Sequence, residues 1–374
     1  MPVRRAWWTA HPRCTKWCFR DLTWRKASIS GLGRPEAVIE SLANLEAFVA
    51  LATKAKAVRA TGLMLLSGGA IQENWAIDLE ITGGPNAGMI EAVVRTDAPS
   101  TIACSLGRTE EFAVLSAAYD AGVNTPKPLW LDGDGNITGR PAFITRRVRG
   151  VASGHKLVKN PEIVLNNELV KDLGRELARI HSIVPPRDDL SFLSLPTGNP
   201  ALAAIDQYRR FLDALPMPYP ALEWSLLWLE QNAPETGGPV LTHRDFRTGN
   251  YMVNNGKISG ILDWEFAGWG DPMEDLGWFC ARCWRFGADG KGAGGVGDQA
   301  DFLQAYEAES GRRVEKDVLH YWELMAHARW AVIAAQQGDR FVTGNERSME
   351  LALTSHIVPE LEMELLAMTA ESHA

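Results

Sequence analysis

The 374-residue sequence predicts an α+β protein in which a small lobe built on an antiparallel sheet precedes a larger, mostly helical lobe. Its length corresponds to two or three lobes of roughly 150 residues each. Short apolar runs broken by glycine turns occupy residues 35–150, whereas longer runs with a helical period occupy residues 151–374. With 46% hydrophobic and 22% charged residues, the composition excludes the disordered, collagen-like and coiled-coil classes.

The first 34 residues differ from the rest of the chain in charge. Up to Lys26 they contain seven basic residues and one acidic residue, Asp21. A transit peptide would also be rich in serine, but the first serine in the chain is Ser28. We therefore predict a basic, loosely ordered N-terminal extension over residues 1–34.

Net charge and apolar run length limit the expected partners. The net charge of −8 gives no general attraction to polyanions, so nucleic acid is not an expected partner. A membrane span needs roughly 18 to 20 residues without charge. Even Leu42–Leu51 is interrupted by Glu46, so we expect a cytoplasmic protein with no membrane partner. The sequence does not indicate an oligomeric state.

The cysteines do not form the pattern of a disulfide framework. There are five, an odd number, which favours a reducing compartment. Two pairs, Cys14 with Cys18 and Cys280 with Cys283, invite a metal-binding interpretation, but a structural zinc site requires four ligands at characteristic spacing. Because Cys280 and Cys283 lie in the apolar run Leu276–Phe286, we favour buried cysteines on a helix.

The small lobe is predicted to hold two helices and five short strands. The helices are Pro35–Lys56 and Glu110–Ala121. The strands are Leu63–Leu66, Trp75–Leu79, Met89–Arg95, Pro128–Leu131 and Ala142–Val148. Ser67, Gly68, Gly69 and Ala70 lie between the first two strands, at the tip of a predicted hairpin.

The larger lobe is predicted to be helical around a few short strands. Its expected helices are Glu168–His181, Ala201–Leu215, Leu222–Gln231, Asp298–Glu309, Lys316–Gln337 and Glu346–Met368. Its expected strands are Val240–Thr242, Tyr251–Val253 and Ile258–Leu262. Gly287–Gly297 contains six glycines, which predicts a mobile surface loop.

The strongest chemical signal is the segment His243–Asn250 followed by Asp263. The segment matches the kinase catalytic loop H-R-D-x-x-x-x-N, and Asp263 follows a short predicted hairpin. Phosphoryl transfer needs a carboxylate to accept the proton of the attacking hydroxyl, and Mg²⁺ prefers hard oxygen ligands. His-Arg-Asp alone occurs by chance, but four residues at this spacing, downstream of a glycine hairpin, a basic strand and an acidic helix, favour a kinase.

These motifs resemble the aminoglycoside phosphotransferase and choline kinase-like superfamily, closest to the branch related to the kinase-like domain of acyl-CoA dehydrogenase fusions. The likeness extends from about Gly62 to about Leu366. The stretches that carry it are Leu66–Trp75, Glu111–Leu115, Ala121–Pro126, Leu173–His181, Leu241–Asn250 and Leu262–Pro272. The resemblance implies a bilobal protein-kinase-like fold with ATP, or GTP, and Mg²⁺ bound between the lobes. It also implies a small-molecule substrate that is phosphorylated on a hydroxyl.

The resemblance assigns roles around the catalytic loop. Asp245 resembles the catalytic base, and Asn250 and Asp263 resemble the magnesium ligands. His243 resembles a residue that packs beneath the loop, which makes it a scaffold residue.

The resemblance also assigns roles in the small lobe. Ser67, Gly68, Gly69 and Ala70 resemble a loop whose backbone N–H groups cover the phosphates. Arg95 takes the place of a lysine, and Glu111 is the better candidate for its acidic partner, with Glu110 one residue away. Arginine keeps the positive charge but binds phosphate as a planar fork.

Two further functions are alternatives to a small-molecule kinase. The unusual Arg95, together with Arg244 in place of the usual glycine, raises the possibility of a nucleotide-binding pseudokinase that acts as a scaffold. An enzyme that inactivates aminoglycosides would require an acidic acceptor cleft. A protein kinase is disfavoured because a Trp-rich helical run soon follows Asp263, leaving little room for an A-P-E motif and peptide platform.

Other residues near these motifs have two interpretations each. Asp271 and Asp275 either tie this region to the catalytic segment or cap a helix. On the late helix, Trp322, Arg329 and Trp330 either approach the cleft, with Arg329 as an anchor for an anion, or form an aromatic core with a solvated arginine.

Overall fold

A computed structural model describes residues 42–66, 72–97, 105–160, 167–344 and 348–371, all of which fall within one compact unit, residues 39–374. The predicted extension 1–34, the Cys14 and Cys18 pair, and the predicted phosphate loop Ser67–Ala70 lie outside the described residues. Among the described residues, the helices are all too short or too polar to cross a membrane.

A five-stranded antiparallel sheet forms the first part of the fold. Its strands lie in the order β1-β2-β3-β5-β4, so only the last two exchange places. The strands are β1 (Ala57–Leu65), β2 (Gln72–Thr82), β3 (Gly88–Asp97), β4 (Pro128–Asp132) and β5 (Ala142–Arg146). Two helices accompany the sheet, α1 (Leu42–Thr53) and α2 (Arg108–Asp120). The helix predicted from Pro35 is described only from Leu42 onward.

Side-chain alternation along β3 determines which residues face the core and which face away from it. Ile90, Ala92 and Val94 are buried in one core with Leu45 and Val49 of α1. Successive side chains of a strand point to opposite faces of the sheet. Arg95 therefore projects from the face opposite Val94, the face that meets the remainder of the chain.

The second part of the fold is mostly helical, with two small two-stranded sheets. Its helices are α3 (Gly154–Lys159), α4 (Glu168–His181), α5 (Pro200–Asp213), α6 (Pro220–Gln231), α7 (Pro272–Cys280), α8 (Gln299–Ser310), α9 (Lys316–Val342), α10 (Met349–Ser355) and α11 (Val358–Glu371). Strand β6 (Val240–Thr242) pairs with β9 (Gly268–Gly270), and β7 (Tyr251–Asn254) pairs with β8 (Lys257–Ile261). The α+β prediction is confirmed.

Two apolar cores support this helical part. One joins α2, α4 and α8 to the segment around β6 to β9, and the apolar stripe predicted on α4 is buried in it, as Leu169, Leu173, Leu177 and Ile180. The other lies between α5, α6, α9 and α11. The first core packs directly under the predicted catalytic segment, because it contains Phe246, Tyr251 and Ile261.

Three local expectations are wrong. The apolar run that contains both cysteines is not one helix, because α7 ends at Cys280 and Cys283 lies in a separate 3-10 turn, Arg282–Trp284. The helix expected over residues 346–368 is divided into α10 and α11. The glycine-rich segment is not a mobile surface loop throughout, because Ala293 and Val296 are buried in the first core.

Candidate active site

A buried carboxylate from α7 holds the start of the predicted catalytic segment. Asp275 Oδ2 accepts the backbone N–H of His243 at 2.7 Å, and Oδ1 accepts that of Arg244 at 2.7 Å. His181 Nε2, on α4, lies 3.2 Å from Oδ2. Burial raises the pKa of Asp275, but the hydrogen bonds and charges of His181 and His243 outweigh burial and hold that pKa below its ordinary value.

The two aspartates of α7 take different roles. Asp271 caps the helix, since its Oδ1 accepts the Met273 backbone N–H at 2.9 Å. Asp275 ties the helix to the catalytic segment. The sequence left these two roles open as alternatives, and each applies to one of the residues.

Three side chains orient the carboxylate of Asp245, the predicted base. Trp278 Nε1 and Arg247 Nε each donate to its Oδ1 at 3.0 Å, and Asn250 Nδ2 donates to its Oδ2. Hydrogen bonds from a charged donor to a carboxylate are stronger than neutral ones. The Asp245 side chain is 14% exposed, so the carboxylate is fixed in direction and still accessible.

The hairpin of β7 and β8 connects Asn250 to Asp263, and hydrogen bonds tie this hairpin to the catalytic segment. Asp245, Asn250 and Asp263 thus belong to one hydrogen-bonded frame. The Leu262 backbone N–H donates to the Asn250 carbonyl at 2.8 Å, and His243 Nε2 donates to the Leu262 carbonyl at 2.8 Å. Asp263 follows directly, in the left-handed region at φ 60°. Asn250 uses its amide nitrogen on Asp245, which leaves its side-chain oxygen as the atom able to bind a cation.

The donor set suits magnesium better than a soft metal. Asn250 supplies an amide oxygen and Asp263 a carboxylate that is about one-third exposed, both hard ligands of the kind that Mg²⁺ takes together with phosphate oxygens. The described residues contain no group of three or more His, Cys, Asp or Glu side chains placed to hold a metal by themselves. The site fits an ion that arrives with a nucleotide.

Arg95 connects the sheet to this frame. Its Nε lies 3.0 Å from Glu111 Oε1 on α2, and its Nη1 lies 2.9 Å from Asp263 Oδ1. Burial lowers the pKa of Arg95, but the carboxylates of Glu111 and Asp263 outweigh burial and raise it, so the guanidinium stays charged. Among the described residues, its Nη2 is buried without a hydrogen-bond partner. That nitrogen is therefore a charged donor whose hydrogen-bonding capacity the described residues leave unused.

Glu265 is a buried carboxylate at the same junction that sequence reasoning did not single out. Its Oε2 accepts from Gln72 Nε2, at the start of β2, at 2.9 Å. Burial raises the pKa of Glu265 to about 7, against the opposing charge of Arg95 and the bond from Gln72. In the sequence, Glu265 could have been noticed as the last residue of the Asp-Trp-Glu motif. Only the fold shows that it contacts the sheet.

Arg244, which stands where glycine is usual, has the backbone conformation that glycine favours. Its φ is +61°, in the left-handed region. Its Nη2 donates to the Trp269 carbonyl at 2.9 Å, and its own carbonyl accepts from Arg329 Nη1 at 2.6 Å. The side chain therefore bridges the catalytic segment to β9.

The tryptophans of the late helix and its neighbours mainly pack against one another. Trp322 is buried in the second core, and the ring of Trp330 packs against that of Trp284 at an interplanar angle of 46°, with 4.8 Å between ring centroids. The guanidinium of Arg329 lies over the ring of Trp278, 4.5 Å from its centroid. Trp322 thus belongs to the aromatic core, whereas Arg329 reaches the catalytic segment.

The glycine-rich segment also supports the catalytic segment. Thr248 Oγ1 donates to the Gly294 carbonyl at 2.7 Å. A Cβ at Gly294 would lie 2.5 Å from the ring of Phe279 and 2.5 Å from Thr248 Oγ1. Only a residue without a side chain fits there.

The structure thus brings together five of the residues predicted from the sequence: Asp245, Asn250, Asp263, Arg95 and Glu111. Glu111, rather than Glu110, is the acid that contacts Arg95. Trp278, Arg247 and Glu265 are among the site residues that the sequence did not predict.

Comparisons with known proteins show which family and which folds this chain resembles. A protein-family model described as "Phosphotransferase enzyme family" matches residues 63–315. Acyl-CoA dehydrogenase family member 10 of Mus musculus is 27% identical over 177 residues, which cover 46% of this chain and 16% of the relative. The matched region is therefore a small part of that relative.

Solved structures share the fold. A Ralstonia eutropha protein assigned as an aminoglycoside phosphotransferase has a TM-score of 0.70 at 21% identity, over 88% of this chain and 98% of its own. An aminoglycoside phosphotransferase in a ternary complex with AMP-PNP and hygromycin B has a TM-score of 0.56 at 18% identity, over 87% of this chain and 98% of its own. Both likenesses confirm the bilobal, protein-kinase-like fold expected from the sequence.

Proposed function

Because this chain belongs to the phosphotransferase enzyme family, we propose that it transfers the γ-phosphoryl group of ATP, or of GTP, to a hydroxyl of a small metabolite. Asp245 is the base in this proposal, and Asn250 and Asp263 hold Mg²⁺. The observation that carries it is the single hydrogen-bonded frame that contains all three residues and faces the Arg95–Glu111 ion pair. AMP-PNP, an ATP analogue, in a structural neighbour supports ATP as the donor.

The bonds to Asp245 suit a general base. The carboxylate accepts the proton of the acceptor hydroxyl, and the hydroxyl oxygen bonds to the γ-phosphorus. At the same time, the bond from that phosphorus to the bridging oxygen breaks and the nucleoside diphosphate leaves. Trp278, Arg247 and Asn250 keep the carboxylate pointing in one direction. Catalysis of this kind depends mainly on positioning and charge stabilisation.

Arg95 and the magnesium ligands act on the phosphates. A bound Mg²⁺ would neutralise charge on the phosphate oxygens, and Asn250 and Asp263 are the residues that would hold it. Arg95 Nη2, which has no hydrogen-bond partner among the described residues, is proposed to donate a charged hydrogen bond at the same place. Ser67, Gly68, Gly69 and Ala70 are proposed to cover the phosphates with backbone N–H groups.

Charges beside Asp245 favour a neutral or anionic acceptor over an aminoglycoside. Arg247 contacts Asp245 directly, and Arg244 and Arg329 flank the same segment, with Glu274 as their nearby carboxylate. The three guanidinium groups outnumber Asp245 and Glu274, the carboxylates they pair with, so these residues do not form the acidic cleft that an aminoglycoside would require. The region matched by the dehydrogenase relative covers 16% of that relative, and we propose no dehydrogenase activity for this chain.

The proposal is tested by following nucleotide turnover with a panel of hydroxyl metabolites, with and without Mg²⁺. Wild type is expected to release nucleoside diphosphate only with Mg²⁺ and a suitable acceptor. Asp245→Asn should lose turnover by at least about 100-fold, the lower range for a general base, while still binding nucleotide. Asp134→Asn, in the exposed turn after β4, is the matched control and should behave as wild type.

Two results would contradict this function. Equal turnover in wild type and Asp245→Asn would remove the mechanism. Magnesium-dependent nucleotide binding by wild type without turnover on any acceptor would favour the pseudokinase instead.

A further inference from the structure

Arg108 occupies a position that is unfavourable for a positive charge. It is the first residue of α2, and its side chain is completely buried. The N-terminus of a helix carries partial positive charge and repels cations, and removing a guanidinium from water costs free energy unless it is paired. An arginine at this place therefore needs several compensating partners.

The partners of Arg108 come from four directions. Its Nη1 forms a close ion pair with Glu111 Oε2, and its Nε lies 3.0 Å from Asp97 Oδ1 at the end of β3. Its Nη2 donates to the Leu106 carbonyl at 2.7 Å and lies 4.0 Å from Glu265 Oε2. The guanidinium fork thus joins α2 to the sheet and to the turn after Asp263.

Glu111 is shared between two arginines. The carboxylate that pairs with Arg108 on one side contacts Arg95 Nε, 3.0 Å away, on the other. The position of Arg95 therefore depends on where Arg108 holds Glu111. A backbone bond reinforces the junction, because the Leu106 N–H donates to the Glu265 carbonyl at 2.7 Å.

We infer that Arg108 is a positioning residue for nucleotide binding. It holds the Glu111 carboxylate, and through it the Arg95 guanidinium, in place before the phosphates arrive. This inference rests on the proposed function, because Arg95 is there the phosphate ligand. Arg108 itself, buried behind Glu111, does not touch the nucleotide.

A purely structural role is the competing explanation. Removing one partner of a buried ion pair leaves the other charge buried and unpaired, which destabilises a protein whatever the pair does, so a large effect of Arg108 on folding alone would not identify its role. The two explanations differ in what they predict for ligands. A positioning role changes nucleotide affinity and leaves acceptor affinity unchanged, whereas general loosening changes both.

The test compares Arg108→Met, which keeps bulk and removes charge, with Arg108→Lys, which keeps charge but loses the planar fork. Nucleotide dissociation constants are measured by calorimetry with Mg²⁺–ATP and with ATP alone, beside the KM values for nucleotide and acceptor. Arg108→Met is expected to raise the nucleotide dissociation constant and KM about tenfold, with the acceptor KM within about twofold. Arg108→Lys should restore part of the affinity.

Arg179→Met is the matched control. Arg179 pairs with the buried Glu176 three residues away on α4, in the same helical spacing as Arg108 and Glu111. Its nucleotide affinity should equal that of wild type. If Arg108→Met does not fold, Arg108→Lys decides the question, because it should bind nucleotide more weakly than wild type at an unchanged acceptor KM.

Three results would overturn the inference. They are an unchanged nucleotide dissociation constant in a folded Arg108 variant, an equal rise in the KM values for nucleotide and acceptor, and full affinity in Arg108→Lys. If wild type binds no nucleotide, the proposed function fails and this inference fails with it. Normal binding by the variants overturns this inference alone.

Discussion

The indole N–H of Trp278 donates a 3.0 Å hydrogen bond to Oδ1 of Asp245. The two residues lie 33 positions apart, one on α7 and the other between β6 and β7. An indole N–H is a donor that cannot take up the proton of an acceptor hydroxyl. Trp278 therefore orients the proposed base without competing with it.

Replacing Trp278 by phenylalanine removes this donor and keeps most of the ring. We expect kcat to fall by about tenfold, because a hydrogen bond to a charged group is worth roughly 1.5 kcal/mol or more. Steady-state kinetics with saturating nucleotide measures the effect. Trp224→Phe on α6, where the ring is 56% exposed, should leave kcat unchanged, and an unchanged kcat in Trp278→Phe would show that the indole N–H is dispensable.

Gly294→Ala should destabilise the protein and slow turnover. The added Cβ would meet both the Phe279 ring and Thr248 Oγ1, at a backbone φ of +55°. Overpacking of this kind costs about 1–3 kcal/mol in the free energy of unfolding. Denaturant titration measures it. Gly290→Ala in the same segment meets no atom within 4 Å and should stay within about 0.5 kcal/mol of wild type.

A pair of substitutions at Arg244 measures the backbone strain in the catalytic segment. Arg244→Ala and Arg244→Gly both remove the bond to the Trp269 carbonyl, but only glycine adopts φ near +61° without steric cost. We expect the glycine variant to be more stable than the alanine variant by about 1 kcal/mol. In a helix interior alanine is more stable than glycine, so the order expected here is the reverse. Equal stability of the two variants would refute strain at this position.

Glu323 on α9 should make stability fall as the solution becomes less acidic. Burial raises the pKa of Glu323 to about 7 in the folded protein, against the opposing effects of Arg285 and Gln299. The folded state therefore binds more protons than the unfolded state between about pH 4.5 and pH 7, and the corresponding stability is lost as pH rises through 7.

In Glu323→Gln the free energy of unfolding should lack the decrease with pH that Glu323 causes in wild type. The difference is at most about 1.4 kcal/mol per pH unit, the value for one proton. The free energy of unfolding measured from pH 4 to pH 8 tests it. Identical slopes for wild type and variant would mean that Glu323 ionises normally in the folded protein.

The local parts of the candidate site could be predicted from the sequence. Asp245, Asn250 and Asp263 lie within 19 positions of one another, and the hairpin between the last two follows from alternation and turn residues. The bounds of α4 could be predicted because its apolar stripe is regular. Such features depend on neighbours along the chain, which a sequence pattern records directly.

Several of the remaining contacts could not be predicted because the two partners are distant in sequence. Gln72 and Glu265 are 193 positions apart, and Arg244 and Arg329 are 85 apart. The glycines of the segment 287–297 show the same limitation. Their number suggests flexibility, but Gly294 is required because Phe279 and Thr248 leave no room for a side chain.

The bonds that join His243 to Leu262 and Leu262 to Asn250 have a mechanical consequence. They lock the proposed proton acceptor and both proposed cation ligands into one rigid block carried by the helical half. A rotation of the sheet about the chain that follows β5 would change the distance from Arg95 to Asp263. It would not change the distances among Asp245, Asn250 and Asp263 inside that block. Under the proposed function, a nucleotide would be loaded and released by moving a single part, and the spacing of the three proposed catalytic residues would stay the same throughout.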